Sequence, residues 1–328
     1  MAGLATENRI EEVAARMRAA IDRYCTTPAS GGLLRQILGF SGRVFDMSHP
    51  ATWPLFALET CHALGGDPDL AVDAGVAAEL AVVAIDVIDD EWDGDPADLG
   101  RAQNASVALH AVAQLWIDQM APRLGVERVY RMSQVLAATS LRSCLGQDLD
   151  LLLERQSDVT EEQSHEMTSL KAGPLVSLAC QLGALVATGD NTVLALIDEY
   201  STHLGTVAQI TNDLAGVDID PTGRRSDLQN RKKTLPVAFA LRHSRESNDG
   251  SFTGHYRHRA DVDLATEQFL ASYIRDCGGL HYAWVVADAH RHEGMAVLKR
   301  IEQVTGRPEV RALRRLMPAL RQRRLTPA

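Results

Sequence analysis

The stretch Ala81-Val-Val-Ala-Ile-Asp-Val-Ile-Asp-Asp-Glu-Trp-Asp93 changes from apolar to acidic within one helical turn. Because Asp89 and Asp93 are four residues apart, both carboxylates project from one helix face, where they repel each other by roughly a few tenths of a kcal/mol unless a cation lies between them. Carboxylate oxygens suit magnesium, which completes its shell with phosphate oxygens. The stretch therefore predicts a magnesium site at Asp89, Asp90 and Asp93, although an acidic helix end before a turn has the same pattern.

Outward from this stretch, apolar residues recur at helical spacing through most of the 328 residues, and the strict alternation typical of strands is almost absent. The clearest predicted helices cover about 69–92, 126–154, 161–187, 192–218, 230–242 and 278–304. The turns between them are short and are flanked by periodic apolar sequence, so none resembles an interdomain linker. We predict an all-α protein in which residues 1–328 form one large helical bundle, with peripheral helices at about 1–48 and 305–328.

The composition favours a globular protein that binds cations rather than nucleic acid. The chain is 45% hydrophobic with a formal net charge of −10, whereas a nucleic-acid-binding face needs clustered Lys and Arg. Its five cysteines are scattered and never form a CxxC pair, which is typical of reduced thiols in a cytoplasmic protein. Glu7, Glu11 and Glu12 precede any apolar run, and acidic residues interrupt the most apolar stretch, 71–88, so we expect neither a signal peptide nor an integral membrane segment.

A second polar cluster lies far downstream. The run Gln209-Ile-Thr-Asn-Asp-Leu-Ala-Gly216 places polar oxygens at the end of another apolar helix. The run Ser226-Asp-Leu-Gln-Asn-Arg-Lys-Lys-Thr-Leu-Pro236 adds cations, and Lys171 adds another. Lysine is a compact point charge suited to phosphate oxygens, and helical bundles build core sites from side chains on facing helices. Together these runs predict a site for a metal-bound diphosphate.

The motifs also follow one another in a familiar order. They are DDxxD at 89–93, GQDLDL at 146–151, Lys171, Gln209 with its acidic partner, and DLxxxKxTLP at 227–236. Over roughly residues 54–300 the chain resembles the trans-polyprenyl diphosphate synthase superfamily and its terpene-cyclase relatives. That resemblance implies an isoprenoid-synthase bundle with a central active-site cavity, and a homodimer. It also implies a magnesium-dependent enzyme that ionises an allylic prenyl diphosphate, farnesyl or geranylgeranyl, with release of diphosphate.

The same resemblance implies roles for individual residues. The catalytic set is Asp89, Asp90, Asp93, Lys171 and Lys232. The substrate diphosphate is bound by Lys171, Gln209, Arg231 and Lys232. Magnesium is bound by Asp89, Asp90, Asp93, Asn212, Asp213 and Asp220. The prenyl pocket is lined by Ala84, Ile85, Asp86 and Gln147, and the small side chain of Ala84 indicates a deep pocket, although Ala84 packing against a neighbouring helix would give the same pattern.

Two basic stretches of the elongating enzymes are missing. Those enzymes bind isopentenyl diphosphate through GGKRxR, where this chain has Ser48-His-Pro-Ala-Thr-Trp53 without Lys or Arg. The basic segment after the first aspartate motif is reduced to Gly100-Arg-Ala102. We therefore predict a class I terpene cyclase, which needs only one diphosphate. The alternatives are a prenyltransferase for an unusual acceptor such as a peptide tryptophan, as in ComQ-type enzymes, a polyprenyl diphosphate synthase, and an inactive helical partner subunit.

The second acidic motif is altered as well. Gly216 occupies the position of the last aspartate of a synthase. Asn212, Gly216 and Asp220 instead follow the NSE spacing of bacterial terpene cyclases, with Gly for Ser and Asp for Glu. However, Asp220 precedes a proline, which disfavours helical geometry at that residue. Asp213, Asp218 and Asp220 remain alternatives for the acid that completes this site.

Overall fold

The structure, a computed structural model, describes residues 2–25, 27–39, 43–46, 52–92, 99–218, 226–257 and 262–320. Within these ranges every regular element is a helix, so the prediction of an all-α protein is confirmed. The α-helices are α1 (Ala2–Tyr24), α2 (Pro28–Ile37), α3 (Thr52–Ala63), α4 (Pro68–Trp92), α5 (Leu99–Asp118), α6 (Ala121–Leu124), α7 (Val126–Glu154), α8 (Glu161–Ala187), α9 (Asn191–Gly216), α10 (Leu235–Glu246), α11 (Ser251–Arg257), α12 (Leu264–Asp276) and α13 (Gly279–Thr305), and a 3-10 helix covers Pro308–Arg315.

Five of the six helices expected from periodicity begin and end within two residues of the predicted positions. The exception is α10, which was predicted to begin near residue 230 and begins at Leu235. The reason is local: residues 227–231 form a turn, and Arg231 adopts a left-handed φ of 58° that a helix does not tolerate. Pro236 then lies in the first turn of α10, where a proline is compatible with a helix.

The described chain divides into two compact units. The first comprises Met1–Leu141, Pro174–Ser201 and Met295–Leu316. Its core includes α4, on which Val76, Leu80 and Val83 are fully buried. Backbones approach closely inside this unit, since a Cβ added to Gly183 would overlap the carbonyl oxygen of Ala57.

The second unit comprises Arg142–Gly173, Thr202–Gly294 and Met317–Ala328. Its apolar core is formed by side chains from α7, α8, α10, α11 and α12 and from the turn before α10, among them Leu153, Leu228, Val237, Phe252 and Ile274. Four boundaries between the units fall within α7, α8, α9 and α13, and a fifth follows the 3-10 helix, so neither unit is one continuous segment of chain. The prediction of a single domain stays a prediction.

One helix among the described residues, α8, is long and apolar enough by length and composition to cross a membrane. Of its most apolar 18-residue window, 83% is buried inside the protein. Such burial is typical of the core helix of a globular fold, which passes the same test. The predicted cytoplasmic location stays a prediction.

Candidate diphosphate and metal site

Two of the predicted lysines meet at one buried carboxylate in the second unit. The geometry begins at Gly146 on α7, where an added Cβ would lie 2.6 Å from the carbonyl oxygen of Leu170 on α8. Only glycine permits this approach, and it brings α7 and α8 into backbone contact. Because Asp150 is four residues after Gly146, it shares the face of α7 that meets α8. Asp150 Oδ2 there accepts a hydrogen bond from Lys171 Nζ at 2.8 Å.

Lys232 completes this arrangement from the segment before α10. Its Nζ lies 3.3 Å from Asp150 Oδ2 and 2.7 Å from Glu154 Oε1, which is one turn further along α7. We call Asp150, Glu154, Lys171 and Lys232 the lysine–carboxylate cluster. The structure thus brings together two lysines that are distant in the sequence, and it pairs them with two acids to which no role was assigned.

Asp150 is ionised and nearly inaccessible, with 2% exposure. Burial alone would raise its pKa, but the charges of Lys171 and Lys232 hold the pKa of this carboxyl below its ordinary value. Within the described chain no donor reaches its second oxygen, Oδ1. The cluster therefore holds two ammonium groups side by side before any anion binds, at the cost of a half-satisfied carboxylate.

The basic residues next to Lys232 point to the protein interior. Lys233 is 1% exposed and donates to the carbonyl oxygens of Arg231 at 3.1 Å and of Glu154 at 3.3 Å. Burial lowers the pKa of Lys233 to about 8, partly opposed by the charge of Glu154. Arg231 donates to the carbonyl oxygen of His255 at 2.7 Å. The role of Arg231 in diphosphate binding stays a prediction.

The C-terminal end of α9 carries a different kind of acid. Asp213 is 2% exposed, and its Oδ1 accepts a hydrogen bond from Gln209 Nε2 at 2.9 Å. No donor among the described residues reaches its Oδ2. Burial raises the pKa of Asp213 to about 7, and the negative charge of Asp227 adds to this rise. The amide of Gln209, predicted to bind diphosphate, is therefore engaged with Asp213, while Asn212 is exposed on the neighbouring face of the helix.

Gly216, the last residue of α9, leaves space for a side chain from another segment. A Cβ added to Gly216 would overlap Asp227 Oδ2 and lie 2.7 Å from Asp227 Cγ. Asp218 faces elsewhere: its carboxylate lies 3.9 Å from the guanidinium of Arg275, beside a polar pocket that Gln268 and Ser272 also line. The described residues contain no group of three or more His, Cys, Asp or Glu arranged to hold a metal. Any ion at this end of α9 must therefore take its remaining ligands from elsewhere.

Several predicted residues lie outside what is described. Asp93 and Asp220 are outside the described residues, and Asp89 and Asp90 belong to the last turn of α4 without a description of their side chains. Their metal-binding role stays a prediction.

The predicted pocket residues are described. The carbonyl oxygen of Ala84, which is 1% exposed, accepts a hydrogen bond from the Ser106 hydroxyl, so Ala84 packs against α5. Ile85 and Asp86 are partly buried on α4. Gln147, in the second unit, has a buried Nε2 that finds no acceptor among the described residues. The role of all four in the prenyl pocket stays a prediction.

Comparison with known proteins matches the chain to one family. The polyprenyl synthetase family model matches residues 53–272. Geranylgeranyl diphosphate synthase of Mycobacterium tuberculosis is 32% identical over 251 residues, which are 72% of this chain and 71% of that protein. Tryptophan prenyltransferase ComQ of Bacillus spizizenii is 28% identical over 172 residues, which are 52% of this chain and 59% of that protein.

A solved structure shares the fold. Geranylgeranyl pyrophosphate synthase from Corynebacterium glutamicum, complexed with isoprenyl diphosphate and magnesium, superposes with a TM-score of 0.77 at 20% identity, over 97% of this chain and 99% of that one. These matches define an enzyme of the isoprenoid synthase superfamily. Within it, the chain belongs to the polyprenyl synthetase family.

Proposed function

We propose that this enzyme ionises an allylic prenyl diphosphate, of farnesyl or geranylgeranyl length, with the help of magnesium. The observation that carries the proposal is the lysine–carboxylate cluster, in which Lys171 and Lys232 share one oxygen of Asp150. Two ammonium groups fixed this close together suit the adjacent oxygens of a diphosphate. Each of the two lysines also has a buried carboxylate, Asp150, as its ion-pair partner.

The chain's residues support departure of the leaving group in two ways. Lys171 and Lys232 bind the diphosphate, and preorganised cations of this kind stabilise the negative charge that grows on it as the carbon–oxygen bond breaks. Asp150 and Glu154 orient the two ammonium groups. After diphosphate has left, Asp150 remains as the counter-charge of both lysines.

Magnesium fits the end of α9, because Asp213 buries a carboxylate oxygen that no described donor satisfies. Hard oxygen ligands of this type are the ones that magnesium selects. Asp213 and Asn212 would hold an ion at this end of α9. Asp89 and Asp90, at the end of α4, and Asp93 are also proposed to bind magnesium. When bound, magnesium supplies charge neutralisation at the departing diphosphate.

We propose prenyl transfer to an acceptor that is not isopentenyl diphosphate as the fate of the allylic group. The missing basic residues at 48–53 leave little charge for a second diphosphate. The relative ComQ is named as a tryptophan prenyltransferase, which makes an indole ring in a peptide the first acceptor to test. Cyclisation is the second candidate, because a cyclase also needs a single diphosphate.

Incubation with geranyl, farnesyl and geranylgeranyl diphosphate plus magnesium separates these fates. We expect a prenylated product only when a tryptophan-containing peptide is added. A terpene hydrocarbon or alcohol without any acceptor would establish cyclisation. A longer diphosphate made only with isopentenyl diphosphate would establish chain elongation. Failure to release diphosphate under every condition would contradict the proposal and favour an inactive partner subunit.

We also propose that the enzyme is a homodimer. In the first unit, large apolar side chains remain exposed on α5 and α7, with Val107 at 70%, Val126 at 77%, Tyr130 at 61% and Leu141 at 61% exposure. Exposed apolar patches of this kind mark protein interaction sites. Light scattering is expected to give twice the 35.7 kDa mass of the chain, and Tyr130→Glu is expected to give the monomer. A monomeric wild-type protein would contradict the proposal.

A further inference from the structure

The side chain missing at Gly216 is replaced in space by another. Gly216 ends α9 at the position where synthases of the resembling superfamily carry their last aspartate. The carboxylate of Asp227 lies where a side chain at 216 would begin, because an added Cβ would overlap its Oδ2 and lie 3.3 Å from its Cβ. An alanine at 216 would therefore have to displace Asp227. The contact between α9 and Asp227 therefore requires glycine at position 216.

Asp227 is held in place by the turn before α10. Its carbonyl oxygen accepts a hydrogen bond from the backbone N–H of Lys232 at 2.9 Å. The next residue, Leu228, is fully buried in the core of the second unit. The preceding residue, Ser226, is buried, and its hydroxyl accepts from the backbone N–H of Gln229 at 3.2 Å. The turn thus fixes the backbone of Asp227 beside α9, and the carboxylate lies against Gly216.

Asp213 lies on the same face of α9 as Gly216, because residues three apart are neighbours on a helix surface. It presents the buried Oδ2 that no described donor reaches. Asp227 brings a second carboxylate to this face, because its Oδ2 occupies the space where a side chain at Gly216 would begin. Two carboxylates on one helix face, one of them with a buried oxygen that no described donor reaches, are unfavourable in the protein alone. A bound divalent cation would satisfy both.

We propose that Asp227 supplies the carboxylate that position 216 lacks, so that Asp213 and Asp227 together form the acidic pair of the second metal site. The inference rests on the proposed function, since the cation concerned is the one that neutralises the leaving diphosphate. It assigns a residue of the DLxxxKxTLP motif, adjacent in sequence to the diphosphate-binding lysine segment, to the metal. Asp218, the rival acid at this end of α9, is directed to Arg275 instead.

The test measures metal binding directly rather than activity. Mn²⁺ is titrated into the protein with inorganic diphosphate, and free Mn²⁺ is read from its electron paramagnetic resonance signal. Asp227→Asn is expected to weaken one Mn²⁺ site by roughly 10- to 100-fold, the usual effect of altering residues that orient a metal. Asp276→Asn, which removes an exposed acid of the same unit, controls for net charge and is expected to change nothing.

A reciprocal exchange makes the test specific. Gly216→Asp combined with Asp227→Gly moves the carboxylate back to α9 and is expected to restore the lost Mn²⁺ site. Gly216→Ala, which displaces Asp227 without removing it, is expected to weaken the same site, and it provides a second route if Asp227→Asn does not fold. Circular dichroism without metal checks the folding of each variant.

The outcomes separate this inference from the proposed function. A wild-type protein that binds no Mn²⁺ with diphosphate would overturn both. Wild-type binding that survives Asp227→Asn and Gly216→Ala would overturn only the role of Asp227. Loss of the ion in Asp218→Asn, with Asp227→Asn unaffected, would transfer the role to Asp218.

Discussion

Asp150 on α7 and Asp213 on α9 are equally buried, but the groups that compensate the charge of each carboxylate differ. Each is 2% exposed, and each has one oxygen that no donor reaches within the described chain. Asp150 is paired with Lys171 and Lys232, which hold its pKa below the ordinary value despite burial. Asp213 receives only an amide hydrogen bond, and burial raises its pKa to about 7. The protein thus supplies the compensating charges of Asp150 itself, whereas the charge compensation of Asp213 is proposed to come from a bound cation.

The largest expected effect comes from Asp150→Asn. This change leaves two partly buried ammonium groups with one fewer carboxylate, and breaking a buried pair in this way costs about 3 kcal/mol or more. Urea denaturation without metal is expected to show this loss. Asp213→Asn is the matched control, and it is expected to cost less than about 1 kcal/mol because no ammonium loses its partner. Equal losses in the two variants would erase the proposed difference between the two acids.

The next effect concerns catalysis. Lys232→Met removes one ammonium group from the cluster, and loss of one preorganised group at a developing negative charge lowers the rate by roughly 100- to 1,000-fold. Diphosphate release under single-turnover conditions measures this rate. Lys233→Met, which removes the neighbouring core ammonium, is expected to alter the Tm and leave the rate largely unchanged. A similar loss of rate in both variants would indicate that Lys232 acts through the fold and not through the diphosphate.

A third acid extends the comparison to the first unit. Glu79 is fully buried, and its Oε1 accepts a hydrogen bond from the Val44 backbone N–H at 2.8 Å, while no described donor reaches Oε2. Burial raises the pKa of Glu79 to about 7, and Asp86 adds to the rise. A carboxyl group whose pKa is raised in the native state stabilises the fold at pH values below its unfolded-state pKa of about 4.5. This contribution is lost as the pH rises to about 7.

Glu79→Gln should therefore be the more stable protein at pH 8, by roughly 1 to 3 kcal/mol. The same substitution should make little difference at pH 4.5. Thermal unfolding across this range measures the effect. A Glu79→Gln variant whose Tm difference from wild type does not depend on pH would contradict the assignment of a buried, partly protonated acid.

The smallest effect concerns three imidazoles of the second unit that contact one another. His290 Nε2 lies 2.7 Å from His165 Nε2, and His290 Nδ1 lies 2.9 Å from His203 Nδ1. Burial lowers the pKa of His290 to about 4, and the other two imidazoles add to this shift. The native state therefore resists protonation, and stability is lost as pH falls from about 6.5 toward about 4.

His290→Gln is expected to reduce the unfolding free energy lost on acidification by about 1 kcal/mol. This figure allows for solvent screening at a partly buried site. The dependence of the unfolding free energy on pH between 7 and 4 measures it. His292→Gln is the control, because that imidazole is exposed. An unchanged pH dependence in His290→Gln would contradict the assignment of a buried, neutral imidazole to His290.

The local pattern of apolar residues was sufficient to predict the helices. The 3.6-residue period, with turn residues at its breaks, gave α7 and α8 to the residue, because burial of one helix face leaves its trace in adjacent sequence. It misplaced the start of α10, because the local pattern does not show that residues 227–231 form a turn in which Arg231 adopts a positive φ. Motif order was likewise sufficient for the family, and it pointed to Lys171 and Lys232 before any geometry was known.

The partners of those lysines were not predictable in this way. Asp150 and Glu154 are four residues apart, which signals a shared helix face, but an acidic pair on a helix is more often a solvated surface. Likewise, the sequence predicts that Gln209 binds diphosphate, which stays a prediction, and it did not indicate the contact of this amide with Asp213. In both cases the deciding contact depends on where a second element lies.

The sequence alone determined that this protein is helical, which helix ends carry clusters of polar side chains, and to which family it belongs. These properties follow from interactions among near neighbours in the chain and from the order of residue types. Only the tertiary structure decided that Lys171 and Lys232 share Asp150, and that Asp227 fills the space left by Gly216. Such pairings arise from how closely Gly146 and Gly216 allow distant segments to approach, and that distance has no signature in the local pattern.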